Sequence, residues 1–315
     1  MEGLVIRPFV RGQDERAWIE LVNAYYGRYY GSEHEPVDED DVEWSMRTPW
    51  WRNSQVFLAE LSGEPVGIIW PWLDRGREPP KGYIWRFAVK PELEGSEVDR
   101  ALLEHALAWL ASRGARSAQI TVRDNMRTRM ELLRSKGFKL IRSFSIMRLR
   151  PDELPGDLEP SQAVELRQAD PLGSEEDLRT LNALYNESFS EHFDFRPETL
   201  EETRAWFEHE GYEDYVVFAL LDGRPVGFVV ATVSKDLPEL SFKSGFINAI
   251  GVLRAYRRQG VGTALMLEAI EWLTSKGAEV VELGVDDENP TGAPAFYKRL
   301  GFRVAFKHLT FLREF

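Results

Sequence analysis

The sequence predicts an α/β protein made of two tandem copies of one unit, each a mixed β-sheet flanked by helices. The first observation is internal repetition, because the segment 63–67 recurs at 223–227 with a single substitution. The second is that strand-like runs alternate with helix-like runs within each copy. The third is length, since 315 residues suit two domains of about 150 residues each.

Further matches between the copies keep a nearly constant spacing. Val89 corresponds to Val252 and Asn125 to Asn289, which are separations of 163 and 164 residues. Between the copies lies a proline-rich, acidic stretch that is typical of a linker. We therefore predict a first domain over 1–150, a linker over 151–162 and a second domain over 163–315.

The elements of the second copy follow in order. A strand is predicted at 164–167, helices at about 174–189 and 199–209, a hairpin at 215–221 and 225–234, strands at 246–252 and 280–285, helices at 263–276 and about 295–300, and a closing strand at 304–312. The hairpin rests on the turn dipeptide Asp222-Gly223, and the last helix on the glycine that ends it, Gly301.

One segment of the second copy has the pattern of a phosphate-binding loop. Residues 257–262 read Arg-Arg-Gln-Gly-Val-Gly, between the apolar strand at 246–252 and an amphipathic helix. A helix that begins there presents free backbone N–H groups at the positive end of its dipole. Glycines leave space for a phosphate, and Arg257 and Arg258 add positive charge. The segment therefore predicts a cradle for a pyrophosphate.

This arrangement resembles the GNAT acyl-CoA N-acyltransferases. Their signature is Arg/Gln-x-x-Gly-x-Gly/Ala after the fourth strand, then an asparagine (here Asn289) and a tyrosine (Tyr297) shortly before Gly-Phe (Gly301-Phe302). The resemblance covers both copies, so we expect two tandem GNAT-like domains, an arrangement that mycothiol synthases share. It implies acetyl-CoA as co-substrate, and no metal. The cofactor-binding residues that it implies are Ile250, Gly251, Val252, Arg257, Arg258, Gln259, Gly260, Val261, Gly262, Thr263, Asn289 and Tyr297.

The resemblance also implies roles in acyl transfer. The backbone N–H of Val252 would stabilise an oxyanion, and Tyr297 would protonate the leaving thiolate. Many family members carry a glutamate base six residues before the position of Val252, where this chain has Phe246. Asn248 could instead hold a water molecule. The other candidates for the base are Asp236, Glu239, Glu187, Glu191, His192 and Asp194.

The first copy has lost these features. Glu94, Glu97 and Asp99 replace Arg257, Gly260 and Gly262, and Leu133 stands opposite Tyr297. Like charges repel, and the added side chains prevent close approach of a phosphate. We therefore predict a degenerate first domain and one CoA site, in the second domain.

Charge and composition limit the classes of molecule that the chain is expected to bind. The net charge of −13 argues against nucleic acid, and no apolar run approaches the ~20 residues that a membrane helix needs. The chain lacks cysteine. Its first three residues lead straight into a strand-like run that begins at Leu4, without the pattern of a signal peptide, so we expect a cytoplasmic protein. The expected partner is a small-molecule or peptide amine acceptor; no oligomeric state is indicated. The alternative function is a non-catalytic acyl-CoA-binding sensor or scaffold protein.

Overall fold

A computed structural model describes residues 3–315 of the chain. Along residues 4–149 the elements are β1 (Leu4–Pro8), α1 (Glu15–Tyr30), α2 (Glu39–Arg47), β2 (Phe57–Leu61), β3 (Glu64–Asp74), β4 (Lys81–Val89), α3 (Glu97–Ser112), β5 (Ser117–Arg123), α4 (Arg127–Ser135) and β6 (Lys139–Leu149). Along residues 165–314 they are β7 (Glu165–Ala169), α5 (Glu175–Ser188), α6 (Leu200–Ala205), β8 (Tyr212–Leu221), β9 (Arg224–Ser234), β10 (Ser244–Val252), α7 (Val261–Ser275), β11 (Val280–Asp286), α8 (Ala293–Arg299) and β12 (Arg303–Glu314).

The elements form two compact units. Unit 1 contains the chain up to Ser143 together with Lys307–Phe315, and unit 2 contains Phe144–Phe306. In each unit two neighbouring strands are parallel, β4 with β5 and β10 with β11, whereas the preceding strands pair antiparallel. The predicted class, an α/β protein with mixed parallel and antiparallel strands flanked by helices, is confirmed.

β6 and β12 each begin in one unit and end in the other. The end of β12 pairs antiparallel with β5, from His308 opposite Arg123 to Glu314 opposite Ser117, and so completes the sheet of unit 1. The end of β6 pairs with β11, where Leu149 lies opposite Val281, and completes the sheet of unit 2. Unit 1 is thus completed by residues 307–315 from the far end of the chain, whereas unit 2 is completed by residues 144–149, which directly precede the rest of it.

The sheet of unit 2 is covered on both faces. Along β8, Val217 and Ala219 belong to the apolar cluster that includes Leu265 of α7, whereas Val216 and Phe218 belong to the cluster of α5. Consecutive side chains of a strand point to opposite faces, and this alternation assigns the two clusters to the two faces of the sheet. Because β8 is buried on both faces, its sequence is a nearly continuous apolar run rather than an alternation of apolar and polar residues.

Most predicted elements of unit 2 differ from the observed ones by one to three residues at their ends. The helix predicted at 199–209 is shorter, because α6 ends at Ala205. The turn between β8 and β9 has positive φ at both Asp222 and Gly223, as a two-residue hairpin of this hand requires.

Candidate functional site

The candidate site of unit 2 is a cleft between two diverging strands. β10 and β11 pair in parallel only from Ser244 opposite Val280 to Ile247 opposite Leu283, although both strands continue beyond that point. Where the pairing ends, a cleft of about 340 Å³ opens, lined by residues of α5, β10, α7, β11 and α8.

The open edge of β10 presents backbone N–H groups to this cleft. Asn248 forms a bulge, and the antiparallel register with β9 then runs without interruption to Val252. The N–H of Leu253 donates to the carbonyl of Val226 at 2.9 Å. Since alternate residues of an antiparallel strand bond to the same neighbour, the N–H groups of Ile250 and Val252 point away from β9 and towards the cleft.

The N-terminus of α7 forms one end of the cleft and has no cap of its own. Gly260 is the N-cap residue, no side chain caps the helix, and its first turn contains no acidic residue. The N–H groups of Val261, Gly262 and Thr263 therefore lack acceptors within the helix, whose first internal bond joins Ala264 N–H to the Gly260 carbonyl. Such a terminus is suited to bind a phosphate.

The two glycines of the loop have different roles. Gly260 has a φ of +79°, and a Cβ there would lie 2.6 Å from the backbone nitrogen of Ser161. Its missing side chain thus allows the chain to pack against Ser161, and Gly260 also lines the cleft. At Gly262 a Cβ would meet nothing closer than Phe296, at 3.5 Å. Gly262 is the residue that leaves space at the helix terminus.

The arginines also differ. The guanidinium of Arg257 donates to the carbonyls of Val252 (2.9 Å) and Ser188 (3.2 Å) and to the carboxylate of Glu191 (2.9 Å). The carboxylate of Glu191 therefore offsets the charge of Arg257, and the main contacts of this guanidinium join the loop to the end of α5. Arg258 is exposed, lines the cleft and has a φ of +64°. Gln259, by contrast, bonds back to the loop at Ala255 and is not among the residues that line the cleft.

Tyr297 and Asn289 both line the cleft. The ring of Tyr297 is only 7% exposed, and this burial raises the pKa of its hydroxyl, which remains protonated at neutral pH. The side-chain oxygen of Asn289 accepts from the N–H (2.8 Å) and the hydroxyl (2.6 Å) of Thr291. Asn289 therefore holds the turn that precedes α8.

The predicted water-holding residue has another partner. Asn248 lines the cleft, but its amide donates to the hydroxyl of Thr232 at 2.6 Å, and this hydroxyl donates to Asp214 at 2.5 Å. Burial raises the pKa of Asp214. The candidate relay residues Asp236 and Glu239 do not line the cleft.

Of the candidate bases in the segment 187–194, only His192 lines the cleft. Burial and the charge of Arg257 lower the pKa of His192, whereas Asp286 and Glu191 oppose this shift. The imidazole is thus neutral at neutral pH and able to accept a proton. Asp286, at the end of β11, is 7% exposed and also lines the cleft. Sequence reasoning missed Asp286, because a carboxylate at the end of a strand carries no local signal.

The corresponding place in unit 1 is filled by the chain itself. β4 and β5 also part after Ile84 opposite Ile120, but the hydroxyl of Ser96 accepts from Val98 N–H and caps α3. The carboxylate of Asp99 accepts from Gly95 N–H at 2.8 Å, as a bound phosphate oxygen would.

A buried arginine, Arg129, pairs with Asp99 at the same place in unit 1. Asp99 is 0% and Arg129 1% exposed, with 3.0 Å between Nη1 and Oδ1, and the guanidinium stacks 3.3 Å from the centre of the Phe87 ring. Glu94 accepts from the hydroxyls of Tyr25 (2.9 Å) and Tyr29 (2.5 Å). Only Glu97 of the three predicted carboxylates is exposed.

Among residues 3–315, no group of three or more His, Asp or Glu side chains is arranged to hold a metal ion. No helix within these residues has the length and apolar character to cross a membrane.

The chain matches a family model twice. The model is that of the acetyltransferase (GNAT) family, and it matches residues 17–138 and 178–302. Among curated relatives, a mycothiol acetyltransferase of Thermobispora bispora is 31% identical over 140 residues, or 44% of this chain and 47% of that protein. Another, of Streptomyces bingchenggensis, is 32% identical over 121 residues, 38% of each chain. The matched part of the chain thus spans less than half the length of these relatives.

Two solved structures share the fold over nearly the whole chain. A GCN5-related N-acetyltransferase from Sphaerobacter thermophilus superposes with a TM-score of 0.73 at 21% identity, covering 100% of this chain and 96% of that one. A tandem GNAT protein from the clavulanic acid biosynthesis pathway gives a TM-score of 0.77 at 17% identity, with coverages of 99% and 98%. At these identities the likeness concerns the fold alone.

Proposed function

Because the chain belongs to the acetyltransferase (GNAT) family, we propose that it is an acetyl-CoA-dependent N-acetyltransferase whose active site lies in unit 2. The observation that carries the proposal is the contrast between the two helix termini. The first turn of α7 is uncapped and open at Gly262, whereas the first turn of α3 is capped by Ser96 and filled by Asp99 and Arg129. Of these two helices, only α7 offers its N–H groups to an anion.

The residues of the cleft fit acetyl-CoA as a whole. Val261, Gly262 and Thr263 would hold the pyrophosphate through their N–H groups, and Arg258 would add a positive charge. The open edge of β10 would pair with the amide-bearing arm, as an added strand pairs with a sheet edge.

Acetyl transfer then requires three roles from the chain. His192 removes a proton from the acceptor ammonium, and the free amine attacks the thioester carbon. The N–H of Val252 stabilises the negative charge on the carbonyl oxygen. As the carbon–sulfur bond breaks, the electron pair stays on sulfur, and Tyr297 gives this thiolate its proton. The products are the acetamide and CoA thiol. The nitrogen loses a second proton as the acetamide forms, and of the two protons that it gives up, one restores the Tyr297 hydroxyl and the other is released to solvent.

The acceptor is proposed to be a small-molecule amine, in keeping with the mycothiol acetyltransferases among the relatives. The alternative, an acyl-CoA-binding sensor or scaffold without turnover, gives no role to a neutral imidazole and a protonated phenol in one cleft. We therefore favour the enzyme.

Two measurements test the proposal. Titration calorimetry with acetyl-CoA should give one site per chain, and amine-dependent thiol release should be continuous. Two equivalent sites per chain would contradict the inference that only the α7 terminus binds acetyl-CoA. Binding of one acetyl-CoA without release for any amine would favour the sensor.

A further inference from the structure

The cleft wall formed by α5, its following loop and β6 is aromatic. Phe189, Phe193 and Phe144 all line the cleft, and the rings of Phe144 and Phe193 lie 6.4 Å apart. Phe189 stacks on Tyr185 with ring centres 4.5 Å apart. Since Phe144 lies opposite Asp286 in the pairing of β6 with β11, this wall borders the end of β11.

The charges near this wall are few. Asp286 is buried and lines the same cleft, together with the imidazole of His192, which lies close enough for the Asp286 charge to affect its titration. Three arginines line the cleft: Arg257, Arg258 and Arg299. Of these, Arg257 forms an ion pair with Glu191. The other two belong to the phosphate-binding loop and to α8, not to the aromatic wall.

One buried carboxylate among aromatic rings selects for a single cation on an apolar body. A polyhydroxylated amine, such as an aminosugar, would bring hydroxyl groups against the rings of Phe144, Phe189 and Phe193, which offer no hydrogen-bond partner. Each such buried, unpaired group costs about 1–3 kcal/mol. An aromatic side chain instead gains from burial and from ring–ring contact.

Resting on the acetyl transfer proposed above, we propose that the acceptor is a primary amine carried on an aromatic or bulky apolar group, with its ammonium bound by Asp286 and its apolar body against Phe144, Phe189 and Phe193. His192, which lines the same cleft and lies beside the Phe189 ring, is the base that takes the ammonium proton. The nitrogen lone pair so released forms the bond to the acetyl carbon, as in the reaction above.

The acceptor class is tested by thiol release with two amines of similar size, 2-phenylethylamine and glucosamine. Discrimination by one buried, unpaired group corresponds to about tenfold, and by several to a hundredfold or more. We expect kcat/KM for 2-phenylethylamine to exceed that for glucosamine at least a hundredfold. Equal use or preference for glucosamine would overturn the inference and leave the acetyltransferase standing. Failure of a wide panel of amines, with acetyl-CoA still bound, would overturn the proposed function itself.

Substitution of the wall supplies a second test. Phe193→Ala should reduce the preference for 2-phenylethylamine at least tenfold without changing acetyl-CoA affinity. Phe242→Ala is the matched control, because Phe242 does not line the cleft. If Phe193→Ala keeps the parental preference, the rings do not contact the acceptor.

The base is tested by the pH dependence of His192→Gln. The groups that act on this imidazole are Arg257, Asp286 and Glu191. The parent should lose kcat/KM at acidic pH with a midpoint below 6.5, the ordinary pKa of histidine, because burial and Arg257 lower the pKa of His192. His192→Gln should lose at least tenfold at pH ~7, lack this acidic limb, and recover as pH rises and the acceptor amine loses its proton in solution. A merely structural role predicts no such recovery, and parental kcat at pH ~7 would exclude His192 as the base.

Discussion

Arg129 and Asp99 form a buried ion pair, with 3.0 Å between Nη1 and Oδ1, at the place in unit 1 that corresponds to the cleft of unit 2. By the spacing of the internal repeat, these residues correspond to Ala293 and Gly262 in unit 2. The chain has therefore placed a carboxylate and its counter-ion where unit 2 keeps an open helix terminus. Unit 1 gains an anchored helix and loses an anion site.

Removal of Arg129 should destabilise unit 1. Breaking a buried pair costs about 3–5 kcal/mol because it leaves an uncompensated charge, so Arg129→Met should lower the free energy of unfolding by about that amount. Urea unfolding followed by tryptophan fluorescence is a suitable measurement, since eight of the ten tryptophans precede Ser143. The double variant Asp99→Asn/Arg129→Met should recover much of the loss. Arg127→Met, on the exposed side of the same helix, is the control; a loss as large there would contradict the assignment.

Gly262→Asp should close the phosphate site of unit 2 by copying Asp99 into it. The new carboxylate has space to form at Gly262 and would repel the pyrophosphate. Loss of one or two charged hydrogen bonds, at about 1.5–3 kcal/mol each, corresponds to at least a tenfold weaker affinity for acetyl-CoA in calorimetry. Gly156→Asp adds the same charge at an exposed position with no neighbour within 4 Å, and should bind as the parent does. Unchanged affinity of Gly262→Asp would mean that the loop only turns the chain.

Tyr297→Phe should lower kcat at least tenfold and leave acetyl-CoA affinity nearly unchanged. The ring that packs near Phe302 is retained, and only the hydroxyl that protonates the thiolate is lost. General acid catalysis contributes about a hundred- to ten-thousandfold, part of which water can replace. The kcat value is measured by steady-state kinetics with an amine that the protein acetylates. Tyr256→Phe, on the loop before α7, is the control. A raised KM with parental kcat would instead assign the hydroxyl to ground-state binding.

Glu198 should make the stability of unit 2 fall as pH rises. Burial, with a contribution from Glu202, raises the pKa of Glu198 to about 7, above the 4.5 of an ordinary glutamate. The protonated form is favoured in the folded state, so its stabilisation is complete below pH ~4.5 and is lost as pH rises through about 7. We expect a loss on the order of 1–3 kcal/mol between pH ~5 and pH ~8, measured by calorimetric melting. Glu198→Gln should flatten this dependence, whereas Glu187→Gln, an exposed residue, should not.

The sequence predicted the local features of the site well, because short-range patterns determine them. The strand, loop and helix around Gly262 follow from apolar periodicity and glycine placement, and Tyr297 follows from its position before Gly301-Phe302. The pairing of the Arg257 guanidinium with Glu191 and the need for glycine at residue 260 beside Ser161 were not predictable. They depend on segments that meet only in the folded chain.

The same reason explains two omissions. Asp286 lies 94 residues from the candidate base His192, and no periodic pattern connects the two. The exchange of the closing strands was not predicted either, because a strand's alternation indicates which face is buried but not which neighbour it pairs with. Both features are long-range pairings.

The pairing of β12 with β5 determines when unit 1 can finish folding during synthesis. Its last strand leaves the ribosome only after all of unit 2 has been translated, although the rest of unit 1 emerges first. In the interval the edge of β5 has unpaired N–H and carbonyl groups, and such an edge can pair with another chain. The nascent protein is therefore most exposed to aggregation before residues 307–315 appear, and any fragment cut between the units retains that exposed edge.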